Sequence, residues 1–308
     1  MTQTSNWIRL LVLALVWGGS FIFIEIALRG FLPFTLVWIR VSLAAATLFA
    51  IAIAKGEAVP RELRTWGGFL CIGLLSNVAP FSLITWAQQH ITAGTASILN
   101  ATVPLWVVVA SLCFGIGTKP TRPQVIGVII GFLGVILLIA PKMNGGFSAA
   151  RSGELCVLLA AISYAAGALY SKRFSATSPI INAAGMCTCS AIVLTPVAIF
   201  LEGPDSIGLN LGAWGAVFAL AIFSTAFAYL LYFKILRSAD PAFLSLVTYL
   251  IPVFATTLGI FILNETIGLT SLIGVAVIFL GLLILDGRLA KWLSSRKENE
   301  EHVPKNSE

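Results

Sequence analysis

Two ionisable side chains, Glu25 and Arg40, stand inside otherwise apolar text, and they carry the first chemical hint in this chain. Counted from the short connection between their stretches, both lie about 10–14 Å deep at helical rise. Ionisable groups in such places mark either a partner or a pathway. The two therefore form a structural ion pair, or Glu25 takes up and releases a proton as a coupling site. Aromatic side chains with a polar tip are the next candidates. Trp17 and Tyr164 are 147 residues apart, each roughly ten residues into its stretch, and Trp106 is similarly deep. Tyr229 and Tyr249 are weaker candidates of the same kind. Such residues usually sit at membrane interfaces, and deep ones prefer a protein or ligand face. Cavity lining and plain helix packing both fit. Pro104 and Pro252 cannot donate a helical hydrogen bond, which frees the carbonyls of Asn100 and Thr248. They either kink or hinge their helices around a cavity or only tune packing.

The remaining chemistry is sparse. The two histidines, His90 and His302, lie in a loop and in the tail, so no zinc-binding pair can form on a helix. Gly18-Gly19-Ser20 begins like a nucleophile elbow, but Phe21 follows where a glycine is needed. No phosphate-binding loop of the GxxxxGK[ST] type occurs. The three aspartates, Asp205, Asp240 and Asp286, fall near the ends of apolar stretches and make no dyad. Five cysteines form no disulfide framework, and Cys187 and Cys189 point to different faces of a helix as small core filler. We expect no catalytic residue, no metal and no cofactor.

The elements that must position these groups are membrane helices. The chain has 308 residues, 58% hydrophobic and 10% charged, with mean hydropathy +0.96. A soluble domain carries about 25% charged residues. Apolar stretches at 7–28, 34–54, 67–87, 94–115, 123–140, 153–171, 180–201, 213–234, 242–263 and 271–286 are long enough to cross a bilayer as helices. The predicted class is all-α, a polytopic membrane protein of ten transmembrane helices. The same pattern is written twice: Ser97 falls on Ser245 and Pro104 on Pro252 at an offset of 148, then Gly127 on Gly274 and Gly134 on Gly281 at 147. Five spans per copy is odd, so the copies enter the membrane from opposite sides, as in alternating-access transporters. The copies are assigned to 7–140 and 153–286, with a disordered cytoplasmic tail at 287–308. Fifteen of the nineteen Lys and Arg fall on the side that holds Asn6, which predicts both termini in the cytoplasm. The net charge of +6 is thus spent on topology, with no face left for nucleic acid. Small residues at helical spacing, Gly127, Gly131 and Gly134 with Gly274 and Gly281, read as packing contacts.

With these residues named, the chain resembles the drug/metabolite transporter superfamily, in its bacterial EamA-like form with ten spans. The resemblance rests on WGGSF (17–21), on Pro33 followed by Arg40, on the TASILNATVP and AFLSLVTYLIP segments, and on the ending NETIGLTSLIGVAVIFLGLLIL (264–285). It implies secondary transport, with export of small metabolites such as amino acids, through a central cavity between two inverted halves of an inner-membrane protein. Carried over residue by residue, Trp17, Ser20, Asn77, Asn100, Trp106, Tyr164, Tyr229 and Tyr249 are the candidate lining residues. The implied partners are a small-molecule substrate, the lipid bilayer and, if Glu25 titrates, protons; the chain would act as a monomer or homodimer. The family's glutamate after the fourth helix of a half stands as Glu265 in the second half, whereas Gly117 replaces it in the first. Its contact cannot be symmetric. Uptake or uniport by the same fold, a membrane-embedded enzyme, and a sensor or scaffold are the alternatives.

Overall fold

The computed structural model describes residues 3–115, 119–139, 148–171, 178–203, 207–238, 243–244, 246–266 and 268–286. Ser245, Gly117 and the tail 287–308 lie outside the described residues. Ten helical elements account for nearly all of them. They are α1 (Gln3–Ala27), α2 (Pro33–Ala54), α3 (Leu63–Gly73 and Ala79–Ala87), α4 (Ala93–Asn100 and Val103–Phe114) and α5 (Arg122–Ile139). There follow α6 (Ala149–Ser171), α7 (Pro179–Val197, then Ala198–Glu202), α8 (Leu211–Ala221 and Ala228–Ser238), α9 (Val247–Leu263) and α10 (Leu269–Asp286). Eight are long and apolar enough to cross a membrane, and the described parts of α9 and α10 are shorter apolar helices. This is a polytopic helical membrane protein; beyond one isolated bridge between Phe31 and Ile207, the described residues contain no strand pairing.

Local chemistry explains the helix boundaries. Pro33 and Pro179 open α2 and α7, where a missing N–H costs nothing. Thr92 and Asn210 cap α4 and α8 through their side-chain oxygens. Asn264, at φ 56°, ends α9 in the left-handed region that asparagine tolerates.

Three helices contain a π-turn: Ala198–Glu202 closes α7, while Leu74–Val78 in α3 and Ile222–Phe227 in α8 start 148 residues apart. In α3 the cause is Pro80, which cannot donate to Leu75 five residues back; Ser163 of α6 donates to that carbonyl instead, at 2.8 Å. In α8 the Thr225 hydroxyl donates to the Leu220 carbonyl at 2.8 Å. The stretch expected as one span over 94–115 is interrupted at Ala101–Thr102, one residue before Val103–Pro104. There Thr102 Oγ1 donates to the Leu99 carbonyl at 2.6 Å. Pro252, in contrast, lies inside an unbroken α9, near its start.

The chain packs as two compact units. The first comprises residues 1–103 and 145–266, and so holds α1–α3, the first segment of α4, and α6–α9. Within it α2 lies along α7, α1 along α9, and the second segment of α3 along α6. The second comprises residues 104–144 and 267–308 and pairs α5 with α10. Glycines let those two backbones meet: a Cβ at Gly127 would lie 2.6 Å from the Gly281 carbonyl, and one at Gly134 only 2.5 Å from the Ile278 nitrogen.

Candidate functional site

Arg40 is the focus of the first unit. It is 4% exposed and sits on α2 between two apolar clusters, one built on Val37, Val41, Phe81 and Leu194 and the other on Ala44, Leu48, Ala184 and Cys187. Its Nε donates to Thr225 Oγ1 at 2.9 Å, and its guanidinium carbon stands 3.8 Å over the Phe81 ring. A cation on a ring face gains from the quadrupole, more so where water is excluded. Tyr164, Tyr229 and Cys187 are the titratable groups within electrostatic reach of it. Phe81 meets Tyr164 at 6.5 Å and 64°. Tyr229 Oη donates to Asn77 Oδ1 at 3.1 Å, and Asn77 Nδ2 donates to Ser190 Oγ at 3.2 Å.

The π-turns of α3 and α8 place this chemistry. Asn77 lies in one and Thr225 in the other, at the repeat offset of 148, and both are buried. A π-turn swings one residue out of the regular i→i+4 ladder and is common at functional sites. Here it delivers an amide from α3 and a hydroxyl from α8 to the same buried cluster as Arg40.

The structure does not bring Glu25 and Arg40 together. Similar depth fixes only one coordinate of a side chain, and the helix rotations turn the two apart. Glu25 is half-buried beside the Gln88 amide, with the charges of Glu265 and Arg29 acting on it, and its Oε2 has no hydrogen-bond partner among the described residues. Gln88 Nε2 donates to the Phe21 carbonyl at 2.8 Å.

Of the sequence-based lining candidates, Asn77, Tyr164 and Tyr229 join the Arg40 cluster. Trp17 is half-buried and stacks on Tyr232 of α8 at 5.8 Å, while Ser20 Oγ turns back to the Trp17 carbonyl at 2.6 Å. Asn100 stands at the α4 break with Oδ1 unpartnered. Tyr249 is in the first turn of α9, half-buried. Trp106 and Pro104 belong to the second unit, where Trp106 stacks edge-on against Phe132 at 4.8 Å. An apolar groove of about 280 Å³ lies along Leu15, Ile22, Phe23, Phe223 and Leu258 and includes none of these candidates. No motif in the sequence marks Phe81, Ser190 or Thr225, and spacing alone makes Cys187 small core filler. The pairing of Ser76-Asn77 with Ser224-Thr225 at one offset was the available signal.

A second set of contacts ties the two sequence repeats at the end of the first unit where α2 and α4 begin and α7 and α9 finish. Glu202, closing α7, accepts from the Phe34 and Thr35 amides of α2 at 2.9 and 2.7 Å. Glu265, just after α9, accepts from the Ala93 and Gly94 amides of α4 at 2.7 and 3.1 Å. First-turn amides have no intrahelical partner and carry the positive end of the helix dipole, so a carboxylate is their natural acceptor. Two glycines make room for Glu265: a Cβ at Gly259 would come 2.6 Å from Oε2, and one at Gly94 3.0 Å. Between these caps the Gly208 amide donates to the Gly30 carbonyl at 2.7 Å, and Phe31 meets Trp214 edge-on at 4.9 Å.

Known proteins share this arrangement of chain. The model of the EamA-like transporter family matches residues 6–140 and again 151–285. The uncharacterized inner membrane transporter YedA of Escherichia coli (strain K12) is 29% identical over 291 residues, covering 94% of this chain and 92% of its own. An uncharacterized transporter of Archaeoglobus fulgidus is 27% identical over 287 residues, covering 91% and 98%. A crystal structure at 20% identity superposes with a TM-score of 0.66, over 92% of this chain and 98% of that one, and shares the fold.

Proposed function

The chain belongs to the EamA-like transporter family, and on that premise we propose that it is a secondary transporter exporting a small amphipathic metabolite, such as an amino acid or a related compound. The observation that carries this reading is the buried polar cluster where the π-turns of α3 and α8 converge inside an apolar membrane bundle. Irregular backbone and paired polar groups at membrane depth persist where they serve a pathway. Phe81 and Tyr164 offer aromatic faces, and Arg40, Asn77 and Tyr229 offer orientation.

Alternating access then requires the repeat contacts to part and re-form around this site. In the proposed orientation both termini are cytoplasmic and the Glu202 and Glu265 caps lie on the outer face. They hold that face shut while substrate enters from the cytoplasm. Lys55 and Gly117 occupy the repeat-related positions at the other end, and neither supplies a carboxylate. The latch is therefore one-sided by sequence. Glu25, within electrostatic reach of Glu265 rather than Arg40, couples a proton to release of the cap in this reading. Uptake or uniport uses the same parts with the opposite gradient.

Reconstitution into liposomes tests the reading, with labelled amino acids and cationic drugs, with and without a pH gradient. Protein-dependent flux of at least one compound supports it. Absence of flux for every compound, in vesicles where the protein is shown to be folded, overturns it. Accessibility labelling of single cysteines beside Glu202 and Glu265 tests the orientation: they react from outside intact cells if it is right.

A further inference from the structure

We infer that Arg40 is the anchor for a carboxylate, so that the transported compound is an organic monoanion or carries its carboxylate as the recognised group; this rests on the transporter reading above. Arg40 is 4% exposed, yet among the described residues no carboxylate pairs with it. A buried cation without a counter-charge is expensive, and proteins keep intramembrane charges for a partner or a pathway. Among the described residues its one hydrogen bond uses Nε, and none of them accepts from Nη1 or Nη2. Neither terminal nitrogen is among the sealed, unpartnered atoms of the structure, so both keep some open surface. The edge of a guanidinium left in this way is the fork that grips a carboxylate with two parallel hydrogen bonds.

The surroundings narrow the class. Thr225 and Phe81 fix the guanidinium plane from the Nε side and from one face, so the fork is already oriented before a ligand arrives. Tyr164, a hydroxyl donor, stands close to the guanidinium, and its hydroxyl is likewise not among the sealed atoms. A carboxylate accepting from both would have its charge met by one cation and its remaining lone pair by a phenol. A dianion such as phosphate would bring a second charge that nothing in the cluster compensates. The walls, Phe81 with Val37 and Val41, suit an apolar or aromatic body. The polar groups around Arg40 are phenols, an amide, a hydroxyl and a thiol; none is a carboxylate that would read an ammonium by charge. The acid end is recognised and the amine is not.

Binding is measured by calorimetry on the full chain in nanodiscs of zwitterionic lipid, which keeps anionic headgroups out of the competition. The probes are monocarboxylates from acetate to 3-phenylpropionate, L-phenylalanine, the matched amine phenethylamine, and inorganic phosphate. Wild-type protein should bind at least one carboxylate at least roughly tenfold more tightly than its matched amine and than phosphate. Arg40→Gln should abolish that preference, Arg40→Lys should retain part of it, and Tyr164→Phe should weaken it by roughly fivefold. Because Arg40→Gln could fail to fold, phenylglyoxal modification of Arg40 in the wild-type protein, mapped by mass spectrometry, gives a second measure. The carboxylate that binds should slow that modification, and the amine should not. Equal affinity for amine and acid, preference for phosphate, no carboxylate bound, or Arg40 that never labels would each overturn the assignment. Carboxylate binding without flux in liposomes would leave the anchor standing and remove the transporter. Flux that is indifferent to Arg40→Lys and Tyr164→Phe would do the reverse.

Discussion

Removing the Glu265 carboxylate should loosen the start of α4 by an amount that can be worked out beforehand. Its two oxygens accept from the amides of Ala93 and Gly94, at 2.7 and 3.1 Å, and those first-turn amides have no helical acceptor. A hydrogen bond to a charged group contributes roughly 1.5–3 kcal/mol, and an anion at a helix N-terminus roughly 0.3–1 kcal/mol. Glu265→Gln keeps one acceptor oxygen but loses the charge, so we expect about 1–2 kcal/mol. Glu265→Ala loses both acceptors, and about 2–4 kcal/mol should follow. One factor of ten corresponds to about 1.4 kcal/mol. Amide exchange at Ala93 and Gly94, read at single-residue level by fragmentation mass spectrometry, should therefore quicken about tenfold in Glu265→Gln and about a hundredfold in Glu265→Ala. The neighbouring Thr95 amide is an internal control, because its acceptor is Thr92 Oγ1 at 3.2 Å. It should stay within about twofold of wild type. Unchanged exchange at Ala93 and Gly94 would refute the cap, and equal acceleration at Thr95 would show general fraying of α4 instead.

Three further outcomes follow from the same packing. Gly134→Leu should destabilise the α5–α10 pair by about 2–3 kcal/mol, since even a Cβ there meets backbone of α10 at 2.5 Å; thermal unfolding in detergent measures this. Tyr229→Phe removes the donor that serves Asn77 Oδ1 at 3.1 Å and should cost about 1–2 kcal/mol in the same assay, with larger loss of flux than Tyr249→Phe. Glu25→Gln should abolish stimulation of flux by a pH gradient while sparing counterflow at equal pH and folding; loss of folding instead would mean the carboxylate is structural.

Much of the architecture was readable from residues alone because the bilayer leaves few alternatives. Ten long apolar stretches, their two-fold offset and the sided Lys and Arg required a helical bundle of paired repeats, and the family motifs agreed. Arg40 was legible as an outlier for the same reason: a guanidinium in apolar text has to be accounted for. Its neighbours were not. Depth along a helix can be counted from sequence, but the direction a side chain faces depends on how each helix is rotated against the others. That rotation sent Glu25 to Gln88 and Arg40 to Thr225 and Phe81. The π-turns shift that rotation within a helix, and only Pro80 hinted at one of them. The sequence marks Glu265 as asymmetric between the repeats, but its glycine cradle, Gly94 and Gly259, is formed by residues 165 positions apart. Sequence by itself determined which segments enter the membrane and which charged residues go with them, because hydropathy acts along the chain. Only the tertiary structure decided which groups meet, because hydrogen bonds act between helices whose mutual angle no local pattern records.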